Sequence, residues 1–295
     1  MENSSRKILT CAFFITLSFF FVELIGGYIS RSLALMTDAF HMLIDISAIG
    51  MSYFALRIAG KKRNLQKTFG YHRFEIIAAL FNGLILVCMS FFMVSRAYKR
   101  IYQPKEVFME IMLPVAILGL VVNIIVGSIL YKGKKESLNI KGAFLHVLGD
   151  TLSSLGVVGG GILMGLTKFY LIDPIISIFI GILILLQAFV LIKESLEILT
   201  ESAPRGINVG EVMSSLKSIP GVKEIHDFHI WSLNTGFVNL TSHILVENDV
   251  NPKDVLLSAA KILKEKFNIN HFTFQIENEM NEGCFQCEEM EIESH

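Results

Sequence analysis

Six apolar runs, at residues 8–29, 34–57, 74–95, 110–131, 143–167 and 172–192, each approach the length needed to cross a bilayer core. In hydrocarbon the backbone N–H and C=O groups must be satisfied within the segment itself, so unbroken runs of this length are helices. Composition agrees: 52% of residues are hydrophobic, 23 are Phe, only 6 are Pro, and the mean hydropathy is +0.54. The fold class expected is a polytopic α-helical membrane protein with six transmembrane helices. The first run follows Arg6 and Lys7 as a signal peptide would, yet it is long, carries Glu23 and lacks a small-residue cleavage site, so it reads as a retained span.

The net charge of −1 says nothing for a nucleic-acid partner, and none is expected; the information lies in where the charges sit. The short segments "RIAGKKRNLQKTFGYHR" and "YKGKKESLNIK" are basic, which by the positive-inside rule puts them in the cytoplasm together with both termini. The connection after the third run, with Arg96, Lys99, Arg100 and Lys105, dissents from this pattern. Of the four cysteines, Cys11 and Cys88 lie in apolar runs and Cys284 and Cys287 in the tail, which is no disulfide framework.

Beyond residue 202 the chain turns polar, with Pro204 and Gly206 in a short linker. "VGEVMSSLKSIPG" and "PKDVLLSAAKILKEKF" read as amphipathic helices, and "VKEIHDFHIWSL", "FVNLTSHILVE" and "HFTFQIE" as alternating strands. The order αββαβ predicts a small, ferredoxin-like α+β domain with two helices on one face of a three-stranded sheet. The domains expected are 1–202 (transmembrane), 203–283 (cytoplasmic) and 284–295 (an acidic CxxC tail). A domain of that size is marginal alone, which favours dimerisation.

The chemistry lies in the polar residues placed inside the apolar runs. "DAFHMLID" carries His41 and Asp45 four residues apart, and "HVLGD" repeats the spacing with His146 and Asp150. On a helix such pairs share one face, and antiparallel helices would set His41 level with Asp150 near mid-bilayer, with Asp45 level with His146. Two imidazoles and two carboxylates suit a tetrahedral, borderline-soft divalent ion: Zn²⁺ first, then Co²⁺, Fe²⁺ or Ni²⁺, and Mg²⁺ or Ca²⁺ poorly. The plainer alternative is two His/Asp pairs that only lock helices together; the duplication at matched depth favours a functional site, because intramembrane charge is costly.

"VELIGGYISRSLALMTDAFHMLID", "FGYHRFEI", "HVLGD", "DPIISI" and "HDFHIWSL" together resemble, in order and over nearly the whole chain, the cation diffusion facilitators, of the bacterial zinc-exporter type related to animal vesicular zinc transporters. The resemblance implies six spans, a cytoplasmic metallochaperone-like domain, a homodimer in the cell membrane, and exchange of metal for protons. It maps the family's transport ligands onto His41, Asp45, His146 and Asp150. It also places cytoplasmic ligands at His226 and His243, completed from the last strand, where Gln275 stands in place of a His of some relatives and Glu277 remains. Cys284 and Cys287 match a tail CxxC of the animal transporters. His72 lies in a loop where some relatives bind a second metal, but the flanking ligands of that site are not evident, which leaves His72 a candidate for the access route, with a solvated helix cap as the plainer reading.

Asp38, about one turn before His41, is a candidate for the access route or a simple interhelical hydrogen bond. His226 and His229, three apart on a strand, are expected on opposite faces. The function expected is proton-coupled export of Zn²⁺, with zinc as cargo and as a structural or regulatory ion, and no organic cofactor. Rival readings are a membrane-anchored metal sensor and a divalent-metal channel, although tight four-ligand binding opposes conduction. An enzyme is not expected, since no motif of the HExxH kind occurs.

Overall fold

The structure, a computed structural model, describes the backbone of residues 2–59, 64–133, 138–234 and 236–278. Side chains of 2–12, 44–45, 48–57, 59, 132–133, 138–143 and 145–146 lie outside the described set. Six long helices come first: α1 (Glu2–Ser30), α2 (Leu33–Ala59), α3 (Arg73–Tyr102), α4 (Met109–Gly133), α5 (Leu138–Thr167) and α6 (Ile172–Leu199). A short helix α7 (Val209–Lys217), strands β1 (Val222–Asn234) and β2 (Phe237–Val246), helix α8 (Pro252–Phe267) and strand β3 (His271–Glu277) follow. The chain divides into two units: Met1–Ala55 with Ala78–Ile192, and Leu56–Ile77 with Lys193–His295.

Among the described residues, five helical segments are long and apolar enough to cross a membrane: Phe13–Ser30, Arg73–Tyr102, Met109–Tyr131, Val147–Thr167 and Ile172–Leu199. In α2 the apolar segment so described is the shorter Leu33–Leu43. Ala34 and Leu35 of α2, Leu86 of α3, Met112 and Ala116 of α4, Val157 and Met164 of α5, and Ile180, Ile184 and Ala188 of α6 form one buried core. Phe21, Phe81, Phe91, Ile124, Phe179 and Phe189 are exposed instead, the face that lipid covers in a membrane protein.

Close helix approach depends on glycine. A Cβ added at Gly160 would lie 2.0 Å from Ile176 Cδ1 of α6, and one at Gly161 would lie 3.0 Å from Met112 Sδ of α4. Adjacent glycines of α5 thus admit two different neighbours, whereas Gly156 and Gly165 have nothing within 4 Å. The helices also overrun their apolar runs. Arg96, Lys99 and Arg100 lie on α3 rather than in a loop, because Lys and Arg are good helix formers whose stems pack on apolar surface. The Arg96 guanidinium sits 5.3 Å from the Phe92 ring centre, one turn back.

In the second unit the sheet order is β1-β2-β3, with β1–β2 antiparallel and β2–β3 parallel through the α8 crossover. Local chemistry sets the helix ends. Asn208 caps α7 by accepting from Glu211 N, Asn251 caps α8 by accepting from Lys253 N, and Asn268 ends α8 in the left-handed conformation at φ 55°. Leu240, Ile244 and Val246 of β2 pack against Val212 and Leu216 of α7 and Val255, Ala259 and Leu263 of α8. His243, between two of those core positions, projects from the opposite face.

Candidate metal centres

The two midspan motifs meet at one observed pair. His41 of α2 is buried, and its Nε2 lies 3.3 Å from Oδ1 of Asp150 on α5. Asp45 and His146 stand on the same two helices, but their side chains lie outside the described residues. Asp38 is also buried and belongs to a polar chain: Asn123 Nδ2 of α4 donates to Ser154 Oγ of α5 at 3.0 Å, and that hydroxyl is 3.5 Å from Asp38 Oδ2. Glu23 in α1 is a second buried acid of these helices.

A second cluster forms where three strands cross. One ligand atom each from His226, His243 and Glu277 lie within 4.8 Å of one another. His226 on β1 pairs in register with His243 on β2, and Glu277 ends β3. His226 Nε2 is 3.3 Å from Glu277 Oε2, and His243 Nδ1 is 3.3 Å from Glu277 Oε1. Gln275 donates to Glu277 Oε1 at 2.6 Å and therefore orients the carboxylate. His243 Nδ1 is buried without a hydrogen bond of good geometry, so this donor set fits a cation better than it satisfies itself. Two imidazoles and a carboxylate at this spacing suit zinc.

The expectation that His226 and His229 face opposite ways is corrected by the register. His226 pairs with His243, but His229 pairs with Thr241, so β1 spends three residues where β2 spends two. That is a β-bulge, and it returns His229 to the side of His226. The inserted kink includes Asp227 at φ 49°, a left-handed conformation that Asp tolerates better than most residues. Its carboxylate reaches both neighbours: Oδ1 is 2.9 Å from His229 Nε2 and Oδ2 is 3.5 Å from His243 Nε2. A carboxylate behind the far nitrogen of a ligating His fixes the ring and its tautomer. The spacing of the histidines does not mark Asp227; the one local signal is an Asp within a strand, where Asp is disfavoured.

His72 joins no ligand cluster among the described residues. Its ring stacks on Phe237 at 5.2 Å, beside Arg73, which pairs with Glu201 at 2.5 Å, and Glu75, which accepts from Asn234 at 3.0 Å. Cys284 and Cys287 lie outside the described residues.

The family models agree with this architecture. The cation efflux transmembrane domain matches residues 9–200, and the cation efflux protein cytoplasmic domain matches residues 204–279. The chain belongs to the cation diffusion facilitator family. This facilitator is 38% identical over 276 residues to the metal cation efflux system protein CzcD of Cupriavidus metallidurans, covering 93% of this chain and 87% of the relative. It is 36% identical over 282 residues to the cadmium, cobalt and zinc/H(+)-K(+) antiporter of Bacillus subtilis, covering 94% and 91%. It is 37% identical over 278 residues to the zinc transporter ZitB of Pectobacterium atrosepticum, covering 94% and 87%. The family is one of multi-pass membrane transporters that move metal cations, not of enzymes.

Proposed function

We propose that this facilitator is a proton-coupled antiporter that exports Zn²⁺ from the cytoplasm. The observation that carries the reading is the buried approach of His41 Nε2 to Asp150 Oδ1, 3.3 Å across α2 and α5. Asp45 and His146, one turn along the same helices, complete a four-ligand N₂O₂ site. Zinc needs a neutral imidazole and ionised carboxylates, so its arrival expels protons and their return expels zinc. The names of the relatives, which include zinc transport and an H(+)-linked antiport, support the same cargo and coupling.

We read α2, 27 residues and roughly 40 Å long, as the sixth span. The transmembrane domain is then 1–202, followed by a cytoplasmic domain at 203–283 that holds zinc on His226, His243 and Glu277 with Asp227 behind His243. A tail at 284–295 carries the thiols Cys284 and Cys287. An even number of spans puts both termini in the cytoplasm, the protein sits in the cell membrane, and the cytoplasmic domain, matched by a family model for that region, pairs two copies. Initial-rate zinc uptake into proteoliposomes with an imposed pH gradient is the test. Uptake that follows the gradient, and proton flux that follows zinc, is expected; zinc flux indifferent to the gradient would leave a channel, and no flux a sensor.

His41→Asp is expected to shift selectivity toward Cd²⁺. An oxygen-rich, more flexible shell accepts a larger ion and loses the nitrogen preference. Zinc and cadmium rates measured side by side should change in ratio by about tenfold, the effect of roughly 1.4 kcal/mol of differential binding. An unchanged ratio would mean that His41 does not set selectivity.

A further inference from the structure

The first turn of α2, the helix that carries His41, is capped from another helix. Ser32 caps it locally: its hydroxyl accepts from Leu35 N at 3.2 Å. The remaining free N–H groups of that turn, Leu33 N and Ala34 N, donate to the carboxylate of Asp173 at 2.9 and 3.2 Å, and Ser32 Oγ donates to Asp173 Oδ1 at 2.6 Å. Asp173 lies in the first turn of α6, some 140 residues away in sequence, and is fully buried. Arg100, near the end of α3, places Nη1 3.8 Å from Asp173 Oδ2. One carboxylate therefore gathers the start of α2, the start of α6 and the end of α3. A buried anion is tolerated there because three donors, a helix N-terminus and a guanidinium face it.

The tie has mechanical consequences. α1 ends in a tight corner: Arg31 is left-handed at φ 59°, Arg31 N donates to Tyr28 O and Ser32 N donates to Gly27 O, the two bonds of a Schellman cap. α2 starts at that corner with no slack. α6 packs closely on α3, since a Cβ at Gly181 would lie 2.7 Å from Val94 Cγ2 and one at Gly83 would lie 2.7 Å from Ile192 Cγ1. α2 is thus fastened at its first turn to the α3–α6 pair. His41 lies eight residues farther on, about 12 Å along the axis.

We propose that Asp173 is a positioning residue for transport: it anchors the first turn of α2 to α6 and α3, and so holds the register of His41 against Asp150. A cap alone would serve stability and could come from either helix, whereas an anchor must come from α6. The two roles separate by moving the carboxylate. In Asp173→Ala the cap, the charge and the tie are all lost. In Asp173→Ala/Ser32→Asp the acid sits at the N-cap of α2 itself, beside Arg100, so the cap and the charge return and the tie does not.

The test uses the full chain in proteoliposomes, with Zn²⁺ as the probe, reading initial rates over a range of zinc concentrations and the melting temperature of each variant. Asp173→Ala is expected to lower both the transport rate and the melting temperature. The double variant is expected to regain most of the melting temperature while its transport stays at least about tenfold below the unmodified protein, with a raised KM for zinc, as misplacement of a site ligand would give. Transport that recovers together with the melting temperature would overturn the proposal, and so would unaltered transport by Asp173→Ala. If neither alanine variant reaches the membrane, Asp173→Asn decides. It keeps one acceptor oxygen but turns an amide NH2 toward donors that the second oxygen met, so the tie to α2 is weakened at unchanged size. It is expected to insert and to lose more transport than melting temperature; a normal rate, or a transport loss matched by the melting temperature, overturns the idea. The inference rests on His41 and Asp150 as ligands, and an Asp150→Ala control keeps the two apart: normal transport by that control would sink the ligand assignment, while the comparison of the two cap variants would still read the anchor.

Discussion

Asp150→Ala is expected to lower zinc transport by more than about a hundredfold, to the background of empty vesicles, with membrane insertion unchanged. Loss of partners that merely orient a metal's ligands already costs tenfold to a hundredfold in affinity or activity, and a ligand contributes more. Asp150 Oδ1 lies 3.3 Å from His41 Nε2, so its removal takes away both a ligand oxygen and a charge that the cation meets. The fold should survive, since an acid between membrane helices carries a desolvation cost that the alanine relieves. Zinc flux and expression level are measured together; substantial flux with normal expression would show that His41 and Asp150 are a structural pair.

The second large effect concerns the sheet cluster. In a full-length Asp150→Ala/Cys284→Ser/Cys287→Ser background, which silences the proposed membrane site and the tail thiols, zinc should slow amide hydrogen exchange in β1, β2 and β3. An ion bound only by the folded state at about 100 times its dissociation constant adds about 2.7 kcal/mol, which is close to a hundredfold in the protection of globally exchanging amides. Adding His226→Ala/His243→Ala should abolish that protection, because two of the three clustered ligand atoms come from those rings. Equal protection by zinc in both backgrounds would mean that the cluster is an ordinary set of strand residues.

Much of the fold was legible residue by residue. The expected strand "HFTFQIE" and the expected helix "PKDVLLSAAKILKEKF" coincide with β3 and α8, because alternation, an Asn cap, Pro at the helix start and basic residues in the last turn are local signals. The long helices began where expected within a few residues in α3 and α4, but α3 ran on to Tyr102, since hydropathy reports the lipid-facing part of a helix and not the hydrogen-bonded whole. The proximity of His41 and Asp150 was expected from spacing and depth alone, because an i, i+4 repeat on antiparallel helices leaves few other ways to pair intramembrane charge.

By itself, then, the sequence determined the class of the molecule, the order of its elements and the residue types available for metal. Those properties depend on periodicity and composition, which are carried by neighbours along the chain. Only the tertiary structure decided that Asp227 bulges β1 and brings His229 to the side of His226, because a strand's face depends on its partner's register and not on its own spacing. Likewise nothing within eight residues of Asp173 marks it as the cap of a helix that begins 140 residues earlier. Its role exists only because α2, α3 and α6 end at one point, where a buried carboxylate is stable solely in the company of the donors that the fold assembles around it.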